Sequence, residues 1–131
     1  MHAVIDDAVP FYSDKTRVEI VLNNLFSNAI KFQDSQKKLP QISIWAKISA
    51  DKVSIKFSDN GIGIEERHIE KIFDMFYRAS EKAKGSGLGL YIVKETLVKL
   101  GGTIAVRSEI GVSTIFEIEI PNLPPVSGVV T

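Results

Sequence analysis

Val53-Ser54-Ile55-Lys56-Phe57-Ser58-Asp59-Asn60-Gly61-Ile62-Gly63-Ile64 is the segment from which the rest of the chain can be placed. Its first half alternates apolar and polar residues, the period of a half-buried strand. A carboxylate ends the strand, and two glycines two apart let the backbone turn sharply and lie close to a ligand. Asp-Asn-Gly is also an ordinary turn sequence, so the segment alone leaves a plain turn open. Two further stretches narrow the choice: the glycine cluster Gly85-Ser86-Gly87-Leu88-Gly89-Leu90, and Leu22-Asn23-Asn24-Leu25-Phe26-Ser27-Asn28-Ala29. Together the three are read as the walls of one pocket.

Working outward from the segment, Gln41 to Ile48 also alternates, and Asp51-Lys52 turns it into the Val53–Ser58 strand, which makes a hairpin. Before it lies a polar loop, Asp34 to Pro40. Before that, Ser13 or Asp14 is a good N-cap for a helix whose apolar stripe is Val18, Val21, Leu22, Leu25, Ala29 and Phe32. At about 100° per residue, Asn24, Asn28 and Lys31 fall within an arc of roughly 60° beside that stripe, where two amides and an ammonium can line a cleft. Any one of the three alone would read as part of a solvated face; the aligned trio is what points to a cleft. Met1 to Ser13 reads as one or two short edge strands. On the other side of the segment, Glu65-Glu66 favour a helix N-terminus, with Ile69, Ile72, Phe73 and Phe76 along its face. From Asp74 to Ser86 the pattern fades into small and charged residues, as in a mobile loop. Leu88 to Leu100 is a second amphipathic helix (Leu90, Val93, Leu97, Leu100) stopped by Gly101-Gly102. Residues 103–107 and 113–120 form a last hairpin around Glu109-Ile110-Gly111. The proline-rich end reads as a disordered tail or shortened linker, so the expected division is a domain over 1–121 and a tail over 122–131. Strands arrive in hairpins rather than each being followed by a crossover helix. That pattern predicts an α/β two-layer sandwich, a mixed, mostly antiparallel sheet with helices packed on one face.

Bulk properties bound the function without naming it. With 131 residues the chain fits one domain with its own core, and 16 basic residues cancel 16 acidic ones. Nothing global therefore steers it to nucleic acid or to an anionic membrane. There is no cysteine, which excludes disulfides and thiolate metal sites and agrees with a cytoplasmic location. No apolar run is long enough to span a bilayer.

Glycines before a helix leave backbone N–H groups facing the approach to its N-terminus, where the dipole also favours anions. Gly85-Ser86-Gly87-Leu88-Gly89 leads straight into such a helix and is a reasonable phosphate cradle, although a flexible loop would read the same. It is neither a Walker loop, which ends in Gly-Lys-Ser/Thr, nor a Rossmann turn.

With these stretches quoted, the chain resembles the catalytic, ATP-binding domain of sensor histidine kinases. That domain has the Bergerat fold, shared more distantly with type II topoisomerases and mismatch-repair ATPases. The resemblance runs in order over about residues 8 to 121. Asn24-Leu25-Phe26-Ser27-Asn28-Ala29-Ile30-Lys31-Phe32 matches the N box, and Asp59-Asn60-Gly61-Ile62-Gly63-Ile64 the first glycine box. Ile72-Phe73-Asp74-Met75-Phe76-Tyr77-Arg78 matches the aromatic F box, and Gly85-Ser86-Gly87-Leu88-Gly89-Leu90 the second glycine box.

The resemblance implies a role for each matched residue. Asp59 would accept the adenine amino hydrogen, with Gly61, Gly63 and Ile64 shaping the turn beside it. Guanine offers a carbonyl there, so acceptor would face acceptor. Asn28 would ligate Mg²⁺, with Asn24 beside it directly or through water, a donor set that suits a cation binding mainly phosphate and water. Lys31 would offset phosphate charge. Phe32 would pack near the purine, or simply be core. Phe73 and Phe76 would anchor a lid reaching to Gly85, and Arg78 would reach the γ-phosphate of ATP. Gly85, Ser86, Gly87, Leu88, Gly89 and Leu90 would hold the phosphates, and Thr114 joins the nucleotide-binding set. Asn24, Asn28 and Arg78 are the implied catalytic residues, and ATP or ADP with Mg²⁺ the implied ligands.

Two departures stand out. The last glycine box usually reads Gly-x-Gly-Thr, whereas this chain has Gly111-Val112-Ser113-Thr114. Hydrolytic relatives carry a glutamate where this chain has Asn24, and an amide cannot take a proton from water. The phosphoacceptor histidine of such kinases lies on a separate dimerisation domain and is followed by an acidic residue. His2 precedes Ala3 and His68 precedes Ile69, so both read as surface residues. The implied partners are therefore a histidine-bearing dimerisation domain and, downstream, a response-regulator receiver domain. Nucleic acid and direct membrane contact are not expected, and the chain by itself is expected to be monomeric. Two rivals share the fold: a nucleotide-binding regulatory module that transfers nothing, and an anti-sigma-type serine kinase, which the amide at Asn24 disfavours.

Overall fold

The computed structural model describes residues 1–7, 9–37, 39–78 and 87–124. Its elements follow the order β1 (His2–Asp6), α1 (Lys15–Lys31), β2 (Ile42–Ile48), β3 (Lys52–Asp59), a 3₁₀ helix (Glu66–Lys71), α2 (Gly89–Lys99), β4 (Thr103–Glu109) and β5 (Ser113–Pro121). The strands make one sheet in the order β1-β2-β3-β5-β4. Only β1 pairs in parallel, with β2; the other three ladders are antiparallel. The expected two-layer, mostly antiparallel architecture is the one observed, and the N-terminal segment supplies a single, fully exposed edge strand.

One face of the sheet is the core. The two central strands, β3 and β5, send Val53, Ile55, Phe57, Phe116, Ile118 and Ile120 inward, all buried. Onto them pack Val21, Leu25 and Ala29 of α1 and Val93 and Leu97 of α2. Phe57 meets Phe26 edge to face, ring centroids 5.1 Å apart at 82°. Each fully buried apolar side chain here contributes about 1.5–3 kcal/mol relative to exposure, so the helices are held mainly by this shared layer. The opposite face is mixed: Trp45 is exposed on it, beside the exposed ion pairs Lys52–Glu119 and Arg107–Glu117. Such pairs contribute at most about 1 kcal/mol each.

This alternation positions the site. Side chains along a strand change face at every residue, so Asp59 continues the inward row of Val53, Ile55 and Phe57. Its Cα partner on β5 is Thr114, which ends the inward row Thr114, Phe116, Ile118 and Ile120. A carboxylate and a hydroxyl therefore sit at one end of an otherwise apolar layer.

Two expectations change. The segment after Glu65 forms only a six-residue 3₁₀ helix, and the apolar face expected to reach Phe76 does not. The chain reverses instead, and Phe76 adopts φ 63° and is 62% exposed. At the C-terminal end, Asn122 was expected in the tail. It is only 6% exposed: its Oδ1 accepts from Tyr12 N (2.9 Å), and its Nδ2 donates to Pro10 O (2.8 Å) and Ser49 O (2.9 Å). Leu123 N–H also donates to Tyr12 O, so the hydrogen-bonded chain runs past the Pro121 boundary. Residues 125–131 of the expected tail and residues 79–86 of the expected mobile loop lie outside the described residues.

Candidate functional site

A cavity of about 260 Å³ opens at the end of the core layer marked by Asp59 and Thr114. Helix α1 brings Asn24, Asn28 and Lys31 to one wall, with Phe32 just past its end. The end of β3 brings Asp59, and the turn after it Gly63 and Ile64. Arg78 comes from the segment beyond the 3₁₀ helix, and Gly87, Gly89 and Leu90 from the start of α2. The spacing of the asparagines predicts this convergence: two residues one helical turn apart share a face.

Asp59 is 8% exposed. Burial pushes its carboxyl above the ordinary value of 3.8, and two influences oppose that, the Gly61 N–H bonded to it and the charge of Lys37. The Gly61 N–H donates to Asp59 Oδ1 at 2.9 Å. Gly61 does not line the cavity, and no larger residue fits at its position. A Cβ there would stand 2.4 Å from Phe32 O and 2.9 Å from Asp59 Oδ1. Gly63 has φ +77°, and a Cβ on it would meet Glu109 O at 2.5 Å. The two glycines thus serve different needs, close approach at the first and a left-handed backbone at the second.

The turn is tied to its surroundings on several sides. Ile62 N donates to Phe32 O (3.0 Å), and Gly111 N to Ile62 O (2.8 Å). Asn60 accepts from Gln41 N (2.7 Å) and donates to Leu39 O (2.9 Å). Ser108 Oγ accepts from Ile64 N (2.7 Å) and donates to Ser113 O (2.7 Å). Its single proton being used there, the 3.0 Å contact with Thr114 Oγ1 has the threonine as donor.

On the α1 wall, Asn24 Nδ2 donates to Ile20 O of its own helix at 2.7 Å. That bond leaves Oδ1 facing the start of α2, 3.6 Å from where a Cβ on Gly89 would be. Across the cleft α2 begins without a side-chain cap and without an acidic residue in its first turn. Its first N–H groups have no intrahelical partner, and the positive end of its dipole faces the cavity.

Several expected site residues stand elsewhere. Phe73 packs edge-on against Phe116, centroids 6.3 Å apart, at the margin of the core. Phe76 points to solvent, although its N–H donates to Gly87 O at 3.0 Å and so ties its segment to the start of α2. Leu88 occupies the N-cap position of α2 and does not line the cavity. Gly85 and Ser86 lie outside the described residues.

His68 is a correction. The sequence reads it as a surface residue; it is half-buried, lines the cavity and hydrogen-bonds through Nδ1 to the Tyr77 hydroxyl. The tight 3₁₀ winding and the reversal after Phe73 bring these two rings together. His2, by contrast, is exposed as expected. Sequence reasoning also missed Ser108 and Lys37. Ser108 had a signal, since it continues the inward row Ile104–Val106 of β4 as Asp59 does on β3. Lys37 had none. Among the described residues, no cluster of His, Cys, Asp or Glu could hold a metal ion, and no helix is long and apolar enough to cross a membrane.

Comparison with known proteins bears on this geometry. The model of the family described as histidine kinase-, DNA gyrase B- and HSP90-like ATPase matches residues 13–124. Sensor protein RprX of Bacteroides fragilis is 36% identical over 117 residues, which is 86% of this chain but only 22% of that protein. Among solved structures, the nucleotide-free catalytic domain of histidine kinase ThkA superposes with TM-score 0.76 at 30% identity, covering 94% of this chain and 80% of that one. Full-length ShkA in complex with AMPPNP gives 0.79 at 25% identity, covering 98% of this chain and 26% of that one.

Proposed function

Since this chain belongs to the histidine kinase-, DNA gyrase B- and HSP90-like ATPase family, we propose that it is the ATP-binding catalytic domain of a two-component sensor histidine kinase. In this reading it delivers the γ-phosphoryl group of ATP to a histidine on a dimerisation domain outside this chain, upstream of a receiver domain, on the cytoplasmic side of the cell. The observation that carries the proposal is a single cavity with a buried carboxylate at one end, Asn24 and an uncapped helix N-terminus at the other, and Asn28, Lys31 and Arg78 also in its lining.

The two ends suit the two ends of an adenine nucleotide. Asp59 accepts the amino hydrogen of adenine and meets the carbonyl of guanine acceptor to acceptor, a mismatch that costs a buried group dearly. The amides of Gly87, Gly89 and Leu90, together with Lys31, receive phosphate charge, and Arg78 holds the terminal phosphate.

The donor set fits Mg²⁺. The back-bond of Asn24 to Ile20 O leaves its oxygen facing the cleft, and Asn28 lies one turn further along the same wall. Amide oxygens without a carboxylate cluster suit a cation that takes most of its ligands from phosphate and water. Bound there, magnesium would neutralise charge on the phosphates. Phosphoryl transfer depends chiefly on positioning and charge stabilisation, so a domain of this kind can be competent and yet inert without its substrate histidine. Asn24 cannot act as a base toward water, which limits wasteful hydrolysis.

The test is incubation with labelled Mg-ATP, alone and with a separately made dimerisation domain, followed by an assay for acid-labile phosphate. Label should appear on the added domain's histidine and not on His2 or His68. Self-labelling, or rapid ATP turnover by the isolated chain, would overturn the reading.

A further inference from the structure

Lys37 sits in the loop between α1 and β2, a stretch that the sequence presents as a polar connection. Its Nζ donates to three main-chain oxygens: Asn60 O at 2.6 Å, Val112 O at 2.8 Å and Gly61 O at 3.3 Å. An ammonium has three protons, and each finds an acceptor. Two of the carbonyls belong to the turn that directly follows Asp59. The third belongs to the turn between β4 and β5, beside Ile110, which lines the cavity, and two residues before Thr114, which also does.

Three carbonyl dipoles converging on one point repel one another unless a cation holds them. The loops touch elsewhere through Gly111 N to Ile62 O and Ile64 N to Ser108 Oγ, so gross contact between them does not depend on Lys37. What Lys37 adds is the direction of the Asn60 and Gly61 carbonyls. The carbonyls of Asn60 and Gly61 terminate the peptide units on either side of Gly61, the residue whose N–H bonds Asp59. Rotating those units would swing that N–H away from the carboxylate. A freely solvated lysine would show neither the partial burial nor this convergence of acceptors.

We propose that Lys37 is a positioning residue of the nucleotide site: it locks the Asn60–Gly61 turn against the β4–β5 turn so that Asp59 is presented to the base as an acceptor. This rests on reading the cavity as an adenine-nucleotide site. Its charge works in the same direction, since it is one of the two influences that favour the ionised carboxylate against burial. The other charged and titratable groups lining the cavity are Lys31 from α1, Glu65 and His68 from the turn and 3₁₀ helix, and Tyr77 and Arg78 beyond them. They are unchanged by a substitution at Lys37, so a comparison between variants isolates the lysine.

The experiment is calorimetric titration of the whole chain with ADP across mildly acidic to neutral pH, for the wild type, Lys37→Met and Lys37→Gln. Lys37→Met should bind ADP about tenfold more weakly, the effect of losing an ordering contact to charged and polar groups. Binding needs an ionised Asp59 and falls as pH drops through its pKa. Without Lys37 that pKa rises further, so the acid limb should move to higher pH. Lys37→Gln keeps a donor without the charge: it should recover part of the affinity and keep the shifted limb, and it carries the test if Lys37→Met does not fold. Wild-type affinity and an unmoved acid limb in both variants would overturn the inference while leaving the nucleotide site standing. A wild-type chain that binds no ADP would overturn both.

Discussion

The two ends of the cavity are built on opposite plans. At the Asp59 end, the turn is fastened to α1 through Ile62 N–H and Phe32 O, to the last hairpin through Gly111, Ser108 and Lys37, and to the start of β2 through Asn60. At the other end, α2 starts without a side-chain cap, and Asn24 Oδ1 looks across at it. The contrast with α1 is direct, because Asp14 Oδ1 caps that helix by accepting from Arg17 N at 3.1 Å. Polar groups at the Asp59 end satisfy one another and fix a shape. At the α2 end, the first N–H groups of the helix have no intrahelical partner and leave capacity for a ligand to satisfy. Such a division suits a ligand with a rigid heterocycle at one end and a flexible, charged chain at the other, since preorganisation favours the first and excess donors the second.

If that division is right, substitutions at the two ends should fail differently. The largest effect is expected at the α2 end. Asn28→Asp puts a carboxylate where an amide faces the phosphates, and transfer to an added dimerisation domain should fall about 100-fold or more, the scale of losing one well-placed electrostatic group. Binding of ADP should fall much less than transfer, because the adenine contacts are untouched. A denaturation midpoint that falls in parallel with transfer would mean that Asn28 acts on the fold rather than on the phosphates.

At the Asp59 end, structure and ligand binding should fail together. Gly61→Ala places a methyl 2.4 Å from the main-chain oxygen of Phe32, which has no rotamer by which to move away. Overpacking of this kind costs about 1–3 kcal/mol, readable as a lowered denaturation midpoint, and ADP affinity should drop with it. An unshifted midpoint would show the turn to be looser than its hydrogen bonds imply.

Asp59→Asn separates the two properties at that same end. Because burial raises the Asp59 pKa above its ordinary 3.8, the native state holds the proton more tightly than the unfolded chain. The linked stability is therefore fully present below the unfolded pKa and is lost as pH rises through the folded one. At neutral pH the buried charge is a net liability to the fold. Asn keeps an oxygen for the Gly61 N–H and carries no charge, so urea midpoints should not fall at neutral pH, and the wild-type chain should lose ground to the variant as pH rises out of the acid range. Adenine-nucleotide binding should weaken by about 1–3 kcal/mol, since the new amide can set a donor against the amino group. A variant that is less stable than the wild type at neutral pH would contradict the linkage.

How much of this could be read beforehand follows from the range of the signal. Strand alternation and helical spacing are local, and they placed the hairpins, both long helices, Asp59 at the end of its strand and the asparagines on one wall. What could not be read depends on loops meeting in space. Lys37 reaches partners 23 to 75 positions away, from a loop with no period. His68 and Tyr77 meet because the chain reverses at Phe76, where φ is positive in a residue that gives no warning of it. Ser108 lies between these cases: its inward position was legible from β4, but its partners on two other segments were not.

The smallest expected effect is at the far end of α1 from the cavity, and it tests whether the ends of this helix act independently. Asp14→Ala removes the oxygen that accepts Arg17 N–H, and with it the exposed contact of the carboxylate with the Arg17 guanidinium at 3.4 Å. The ion pair contributes little, so the loss is that of an N-cap, about 1 kcal/mol of stability. Asn28 lies fourteen residues further along, roughly 21 Å at the rise of an α-helix. Between the two, Val21 and Leu25 are fixed in the core, 1% and 0% exposed, and fraying of the first turn should stop there. ADP affinity and transfer should therefore match the wild type, while the denaturation midpoint falls. Combined with Asn28→Asp, the cap variant should add its stability loss without deepening the loss of transfer, as expected of sites well over 10 Å apart. A cap variant that impairs nucleotide binding would mean that α1 moves as one rigid rod, and that the asparagines owe their placement to its first turn rather than to the core beneath them.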